Sequence, residues 1–282
     1  FLSAARALAG HSNRQAATSL GYELASMQSQ WFELPVRRAI AGELSAIYAP
    51  RLDALGLDLN AGAHASDPSD RRLLRRSLVA ILALDAREVS VRSLLAEAAK
   101  SSLDDPAALD GEFRDIAWSV GARDLGPAFF EAMRERLLSG QDASSRTDAA
   151  TAIGAVETAE SASAALALAI DPQVRVGEMF RIVWQQVNAA ATRHAAWPWL
   201  AENFDSLTNK LPGFAQSVLF ELPSSYCDAA HRREIESFMT PAVVRTGKGS
   251  LELARTLETI DLCMAQKAVL GPRILATLAL TR

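Results

Sequence analysis

The sequence is poor in the residues that mark disulfide-rich, membrane-spanning and nucleic-acid-binding proteins. Its two cysteines, Cys227 and Cys263, form no Cys-x-x-Cys pair, which excludes a disulfide framework and leaves them to pair or to stay as buried thiols. The longest apolar runs, such as residues 78–84, are far shorter than the ~20 residues of a membrane-spanning helix. A formal net charge of −4 gives no broad positive surface for nucleic acid. We therefore predict no membrane span and no nucleic-acid partner. The sequence does not indicate the cellular compartment of the protein.

Strand-forming residues are also sparse. Aromatic residues make up 6% of the chain, whereas the helix formers alanine, leucine, arginine and glutamate dominate it. This composition predicts an all-α protein. The densest basic cluster, Arg71, Arg72, Arg75 and Arg76, is spaced so that its members lie in adjacent turns of one helix. We interpret it as a solvated helix face in preference to a phosphate site.

Proline and glycine pairs divide the chain into segments of helix length. Three Asp-Pro pairs predict helix starts, with the aspartate as N-cap, and two Gly-Pro pairs predict a helix end followed by a new start. These pairs are Asp67-Pro68, Asp105-Pro106, Asp171-Pro172, Gly126-Pro127 and Gly271-Pro272. Residues 60–66 and 139–145 are predicted surface loops, and residues 246–250 a loop that ends in a capping Ser250.

Between these breaks the apolar residues follow the helical period. In residues 176–187 they recur at i, i+3, i+4, i+7, i+8 and i+11, which predicts one buried stripe that includes Phe180 and Trp184. We count roughly fourteen helices of about 10–18 residues joined by short turns. Such a series predicts antiparallel helix pairs stacked as an α-α superhelix of the HEAT or armadillo kind, in one domain over residues 1–282.

The residues of a hydrolytic metal site are missing. An HExxH zinc motif needs two histidines one helical turn apart, but no two of His11, His64, His194 and His231 share a turn. His231 could share a helix face with Cys227, four residues before it, or with Asp228, three residues before it. A metal site would need a third and a fourth ligand that nothing nearby offers, so Asp228 is interpreted as a helix cap. The acid pairs Glu131/Glu135 and Glu157/Glu160 are interpreted as solvated faces. The sequence thus predicts no catalytic, cofactor-binding or metal-ligating residue in this chain.

The segment 193–204 is the most distinctive part of the chain. Trp197 and Trp199 flank Pro198, and because they are two residues apart they cannot lie on the same helix face. Pro198 favours a first helical turn or a kink. We interpret the two tryptophans mainly as a packing landmark between helices, with contact to a small-molecule ligand as the alternative.

Several segments resemble, in order, the C-terminal helical domain of zinc aminopeptidases of the aminopeptidase N, puromycin-sensitive and endoplasmic-reticulum type. Arg193, Trp197, Trp199-Leu200 and Asn203 match its most recognisable stretch. The likeness extends from about residue 49 to the end of the chain. Its other matching segments are residues 55–57 with 73–78, residues 226–227 with 234–238, and residues 255–260.

The resemblance implies a bowl-shaped helical domain that covers a catalytic domain of the same polypeptide and encloses a chamber for peptide substrates. It places the zinc and the catalytic residues in that other domain, so this chain is expected to be an inactive C-terminal fragment of a larger peptidase. The alternative is a free-standing HEAT-like scaffold that binds a protein partner on its concave face.

Overall fold

The computed structural model describes residues 1–105 and 108–280. Over these residues the chain is helical and contains no β-strand, so the all-α prediction is confirmed. The chain divides into two compact units, Phe1–Arg136 and Leu137–Arg282. A single domain over residues 1–282 stays a prediction. None of the described helices has both the length and the apolar character needed to cross a bilayer.

The first unit is built from sequence-adjacent helices. Helices α1, α2 and α3 pack on one another, α4 packs on α2 and α3, and α5 packs on α6. A π-helical turn, Ile81–Asp85, continues α4. The helices are α1 (Leu2–Ala9), α2 (Arg14–Trp31), α3 (Leu34–Leu55), α4 (Ser69–Ala80), α5 (Val89–Ser101), α6 (Arg114–Asp124) and α7 (Pro127–Ser139), the last of which crosses the unit boundary.

The second unit contains the remaining helices. Helix α10 packs on α8, α9 and α11, and α13 packs on α12 and on a 3-10 helix, Gly213–Glu221. Its α-helices are α8 (Ala143–Gly154), α9 (Ala159–Ala169), α10 (Val176–Asn188), α11 (Arg193–Lys210), α12 (Ala229–Thr246) and α13 (Ser250–Leu280).

Side-chain caps explain where many of these helices begin. Asn13, Glu88, Asp142, Thr158 and Asp228 each accept a hydrogen bond from a backbone N–H in the first turn of the helix that follows. Each bond satisfies a donor that the helix itself leaves without a partner. The prediction that Asp228 is a cap is confirmed.

The proline-based helix starts are only partly correct. Pro127 begins α7 as predicted. Asp67 does not cap α4, because its carboxylate binds Arg75 instead. Asp171 lies five residues before the first residue of α10 and forms a turn by accepting from the Gln173 N–H. The start at Asp105-Pro106 involves Pro106, which lies outside the described residues. Ser250 is the first residue of α13 and not its cap.

The predicted break at Gly271-Pro272 is wrong, because α13 runs through it as a 31-residue helix. A proline ring normally disfavours helical geometry in the residue before it by meeting that residue's Cβ. Gly271 has no Cβ, so the helix can continue. At 22 residues, α3 is also longer than predicted and contains Pro50.

The arginine cluster on α4 is only partly a solvated face, because Arg71 is exposed and Arg72 and Arg76 are partly buried, whereas Arg75 is buried. Arg75 is 1% exposed, and its guanidinium donates to the Asp67 carboxylate (2.7 Å) and to the Gly56 carbonyl (2.8 Å). Arg76 binds both carboxylate oxygens of Asp115, at 2.8 and 2.7 Å. The prediction is wrong for Arg75 and Arg76, because the acids that pair with them, Asp67 and Asp115, lie outside α4.

Helix α10 buries three of the six residues in its predicted stripe. Met179, Val183 and Val187 are buried, but Trp184 is 38% exposed and stacks on Phe180. Two polar residues that the stripe did not include, Glu178 and Gln186, are buried instead. Gln186 Nε2 donates to the carbonyls of Gly154 and Val156, which ties α10 to the end of α8.

Candidate interaction site at the start of helix α11

Trp197 joins α11 to α12 through aromatic contacts. Its ring, 7% exposed, packs edge-to-face on Tyr226 (centroids 6.3 Å apart) and on Phe238 (5.9 Å). Phe204, two turns further along α11, packs in the same way on Phe220 and Phe238. Trp199 points to another face and is partly exposed. The prediction of a packing landmark is therefore confirmed for Trp197, although Pro198 lies inside α11 and not in its first turn.

Arg193 connects the first turn of α11 to the turn before α12. Its side chain is 5% exposed, and Nη1 donates to the Ser225 carbonyl at 2.9 Å. The Tyr226 hydroxyl donates to the Arg193 carbonyl at 2.7 Å. Burial raises the pKa of Tyr226 well above its usual value, so this hydroxyl stays protonated and remains a donor.

A disulfide fixes the same turn to the last helix. Cys227 and Cys263 are bonded, with their Cα atoms 5.4 Å apart, and this bond joins the residue next to Tyr226 to the middle of α13. The sequence left open whether the two cysteines pair or stay as thiols, and in the structure they form a disulfide. Both are nearly buried, at 5% and 7% exposure.

Two of the four histidines come together at this turn. His194 Nδ1 and His231 Nε2 lie 3.3 Å apart, and His231 Nδ1 lies 2.7 Å from the Asp228 carboxylate. Burial would raise the pKa of Asp228, but hydrogen bonds from the backbone N–H and side chain of His231 outweigh it and hold the pKa below its usual value. The Asp228 carboxylate therefore stays ionised and caps α12 as an anion.

The other histidines lie in the first unit and serve loop structure. His11 Nδ1 accepts from the Asn13 N–H at 3.0 Å, and His64 Nε2 accepts from the Asp58 N–H at 3.1 Å. The pair Glu131/Glu135 is exposed, as predicted, and Glu160 is exposed while Glu157 is partly buried. Within residues 1–105 and 108–280, no group of three or more histidine, cysteine, aspartate or glutamate side chains is arranged to hold a metal ion.

One cluster of side chains connects the start of α11, the start of α12 and the disulfide-bonded turn before α12. Its members are Arg193, His194, Tyr226, Asp228 and His231. Local sequence patterns identified Asp228 and Cys227, because they lie within four residues of His231. They missed the contact between His194 and His231, which are 37 residues apart. No periodicity or motif within one sequence links positions so far apart.

Comparison with known proteins adds one strong finding. A family model described as the ERAP1-like C-terminal domain matches residues 1–262. The match thus includes residues 1–48, which lie before the segments on which the sequence resemblance rests, and it ends within α13. No curated protein is similar enough to this chain to count as a match.

Proposed function

The chain belongs to the ERAP1-like C-terminal domain family, and from that membership we propose that it is the C-terminal domain of a zinc-dependent aminopeptidase. It covers the catalytic domain of the same polypeptide and shapes the chamber in which peptide substrates bind. The single observation that carries this proposal is the family match over residues 1–262.

The residues of this chain do not fit a catalytic zinc ion. Such an ion takes three protein ligands and keeps a fourth position for water or substrate. The sequence has no HExxH motif, and the described residues contain no three-ligand group. The proposal therefore assigns the zinc, and every bond-breaking step, to a catalytic domain in another part of the polypeptide.

What the chain supplies is a helical wall. A wall that closes over the reacting centre excludes water and restricts which substrates reach it. It also contacts the far end of a peptide while the N-terminal residue is removed, and binding energy from such remote contacts can position the scissile bond. Peptide length is the substrate property that this arrangement senses.

The experiment compares the full polypeptide with a version that lacks residues 1–282. Both are assayed on a single aminoacyl amide and on peptides of increasing length, and the purified chain is then added back to the truncated version. We expect the deletion to abolish the dependence of kcat/KM on peptide length, and the added chain to restore part of it. An unchanged length profile would contradict the proposal.

The alternative is a free-standing HEAT-like scaffold that binds a protein partner. The series of packed amphipathic helices is equally suited to that role. The reading frame upstream of Phe1 separates the two functions, because an HExxH sequence there selects the peptidase and a start codon close to Phe1 selects the scaffold.

A further inference from the structure

Two imidazole rings from different helices meet at the surface of the second unit. His194 is the second residue of α11 and His231 the third residue of α12, and their ring centroids lie 5.0 Å apart. The facing nitrogens, His194 Nδ1 and His231 Nε2, are separated by 3.3 Å. Hydrogen bonds from N–H groups are usually shorter than this, at about 2.9–3.0 Å, so the two nitrogens are only weakly bonded to each other.

The separation matches the distance between two ligands of one metal ion. Zinc–imidazole bonds are about 2.0–2.1 Å long, and a tetrahedral angle between two of them places the nitrogens roughly 3.3–3.4 Å apart. We propose that His194 and His231 chelate a divalent transition-metal ion between these two nitrogens. Any proton that the nitrogens share passes to solvent when the ion takes both lone pairs.

The surroundings of His231 prepare its Nε2 atom for this role. The Asp228 carboxylate accepts from Nδ1 at 2.7 Å, which keeps the proton on Nδ1 and leaves the Nε2 lone pair facing His194 Nδ1. A carboxylate behind a ligating histidine in this way is the usual outer-shell partner of a metal-bound imidazole. The other oxygen of Asp228 accepts from the N–H groups of Ala230 and His231, both at 3.0 Å, so the carboxylate is fixed in orientation.

Neighbouring groups also hold the two rings in place. The Tyr226 ring stacks on His231, with centroids 4.7 Å apart, and meets His194 edge-on at 6.4 Å. Tyr226 is itself held by its bond to the Arg193 carbonyl and by the adjacent Cys227–Cys263 disulfide. Little rotational freedom is lost when an ion binds to rings that are already fixed.

The donor set indicates the class of ion. Imidazole nitrogens suit Cu²⁺, Zn²⁺ and Ni²⁺, whereas Mg²⁺ and Ca²⁺ prefer oxygen ligands, and Cu²⁺ binds most strongly of the three. Because the described residues provide no third ligand, the remaining positions belong to water or to a donor atom from another molecule. The site is therefore a two-histidine chelate, weaker than a four-ligand structural site. It does not depend on the proposed aminopeptidase role.

The test is a titration of the 282-residue chain with Cu²⁺ at pH 7.5, followed by calorimetry and by electron paramagnetic resonance. We expect one saturable equivalent with two coordinated imidazole nitrogens. His194→Ala and His231→Ala should each weaken binding at least tenfold and remove one nitrogen from the spectrum. Asp228→Asn, which preserves the helix cap, should weaken it by about 10–100-fold.

Matched controls come from the other two histidines. His11→Ala and His64→Ala should bind Cu²⁺ as the wild type does, and circular dichroism should show that all variants remain folded. The proposal is overturned if the wild type shows no saturable binding. It is also overturned if binding persists unchanged in both His194→Ala and His231→Ala, as it would for an ion held at the amino terminus.

Discussion

Arg146 and Glu178 form a two-pronged ion pair that joins α8 to α10. Nε and Nη2 of Arg146 each lie 2.8 Å from a carboxylate oxygen of Glu178, and the two side chains are 5% and 6% exposed. Glu178 also accepts from the N–H of Arg175, the residue before α10. The pair therefore fixes both the start of α10 and its position against α8.

Removing one partner of this pair should destabilise the second unit strongly. Glu178→Gln keeps an acceptor for the Arg175 N–H but leaves the Arg146 guanidinium buried without a counter-charge. We expect a loss of about 3–5 kcal/mol in the free energy of unfolding, measured by hydrogen exchange of the α8 and α10 amides. The double variant Arg146→Met with Glu178→Gln should recover part of this loss, because no charge remains buried. Unchanged exchange in Glu178→Gln would contradict this reading.

The disulfide should make the stability of the second unit sensitive to reducing agents. Cys227 and Cys263 are 36 residues apart. Cross-linking a loop of this size lowers the conformational entropy of the unfolded chain and so raises the free energy of unfolding by about 2–4 kcal/mol. Urea unfolding of the wild type should shift to lower urea when dithiothreitol is added. The Cys227→Ala and Cys263→Ala double variant should unfold at one midpoint with or without the reductant. If the urea midpoint of the wild type is the same with and without dithiothreitol, the disulfide bond is not formed.

Two glycines before α13 provide a matched comparison. Both have positive φ, 66° at Gly247 and 81° at Gly249, but a Cβ at Gly247 would meet nothing within 4 Å, whereas one at Gly249 would lie 2.1 Å from Phe220 Cδ2. Gly247→Ala should cost only the backbone strain, about 1–2 kcal/mol. Gly249→Ala should cost about 1–3 kcal/mol more, because the Phe220 ring must move. Equal thermal midpoints of the two variants would disprove the contact with Phe220.

Asp85, at the end of the π-helical turn, should make the first unit less stable as the pH rises. Burial raises the pKa of its carboxyl from 3.8 to about 6, although the positive charges of Arg123 and Arg87 act to lower it. Between these two pH values the folded state binds more protons than the unfolded state, so the stability contribution of Asp85 falls as the pH rises through about 6.

Asp85→Asn should remove this dependence. We expect the variant to exceed the wild type in free energy of unfolding above pH 6 by on the order of 2–3 kcal/mol, and to match it below pH 4. The measurement is urea unfolding of both proteins across this pH range, with the exposed residue Asp104 changed to Asn as the control. A constant difference at all pH values would show that Asp85 does not titrate in this range.

Local sequence patterns predicted much of the fold and little of the candidate site. The 3.6-residue period revealed the helices, because it acts within one or two turns, whereas Asp228 is the one predicted cap that the structure confirms. The failures involve partners that are distant along the chain. Local patterns predict a solvated face for Arg75 and Arg76 because they do not link these residues to Asp67 and Asp115. They also predict a buried Trp184, whereas Glu178 and Gln186 are the residues that α10 buries.

The candidate site shows the same division. Its unusual neighbours mark Trp197 as a packing landmark, but its partners Tyr226 and Phe238 lie on other segments and could not be predicted. The approach of His194 to His231 depends on how α11 and α12 pack, which no short segment specifies. The Cys227–Cys263 bond was one of two open possibilities for the same reason.

The most direct test of the proposed role is the hydrolysis of an aminoacyl p-nitroanilide in the presence of Zn²⁺, by the purified 282-residue chain and by the longer polypeptide that contains it. We predict turnover by the longer polypeptide and none by the chain above the uncatalysed rate. Robust turnover by the chain alone would contradict the assignment of all catalytic residues to another domain.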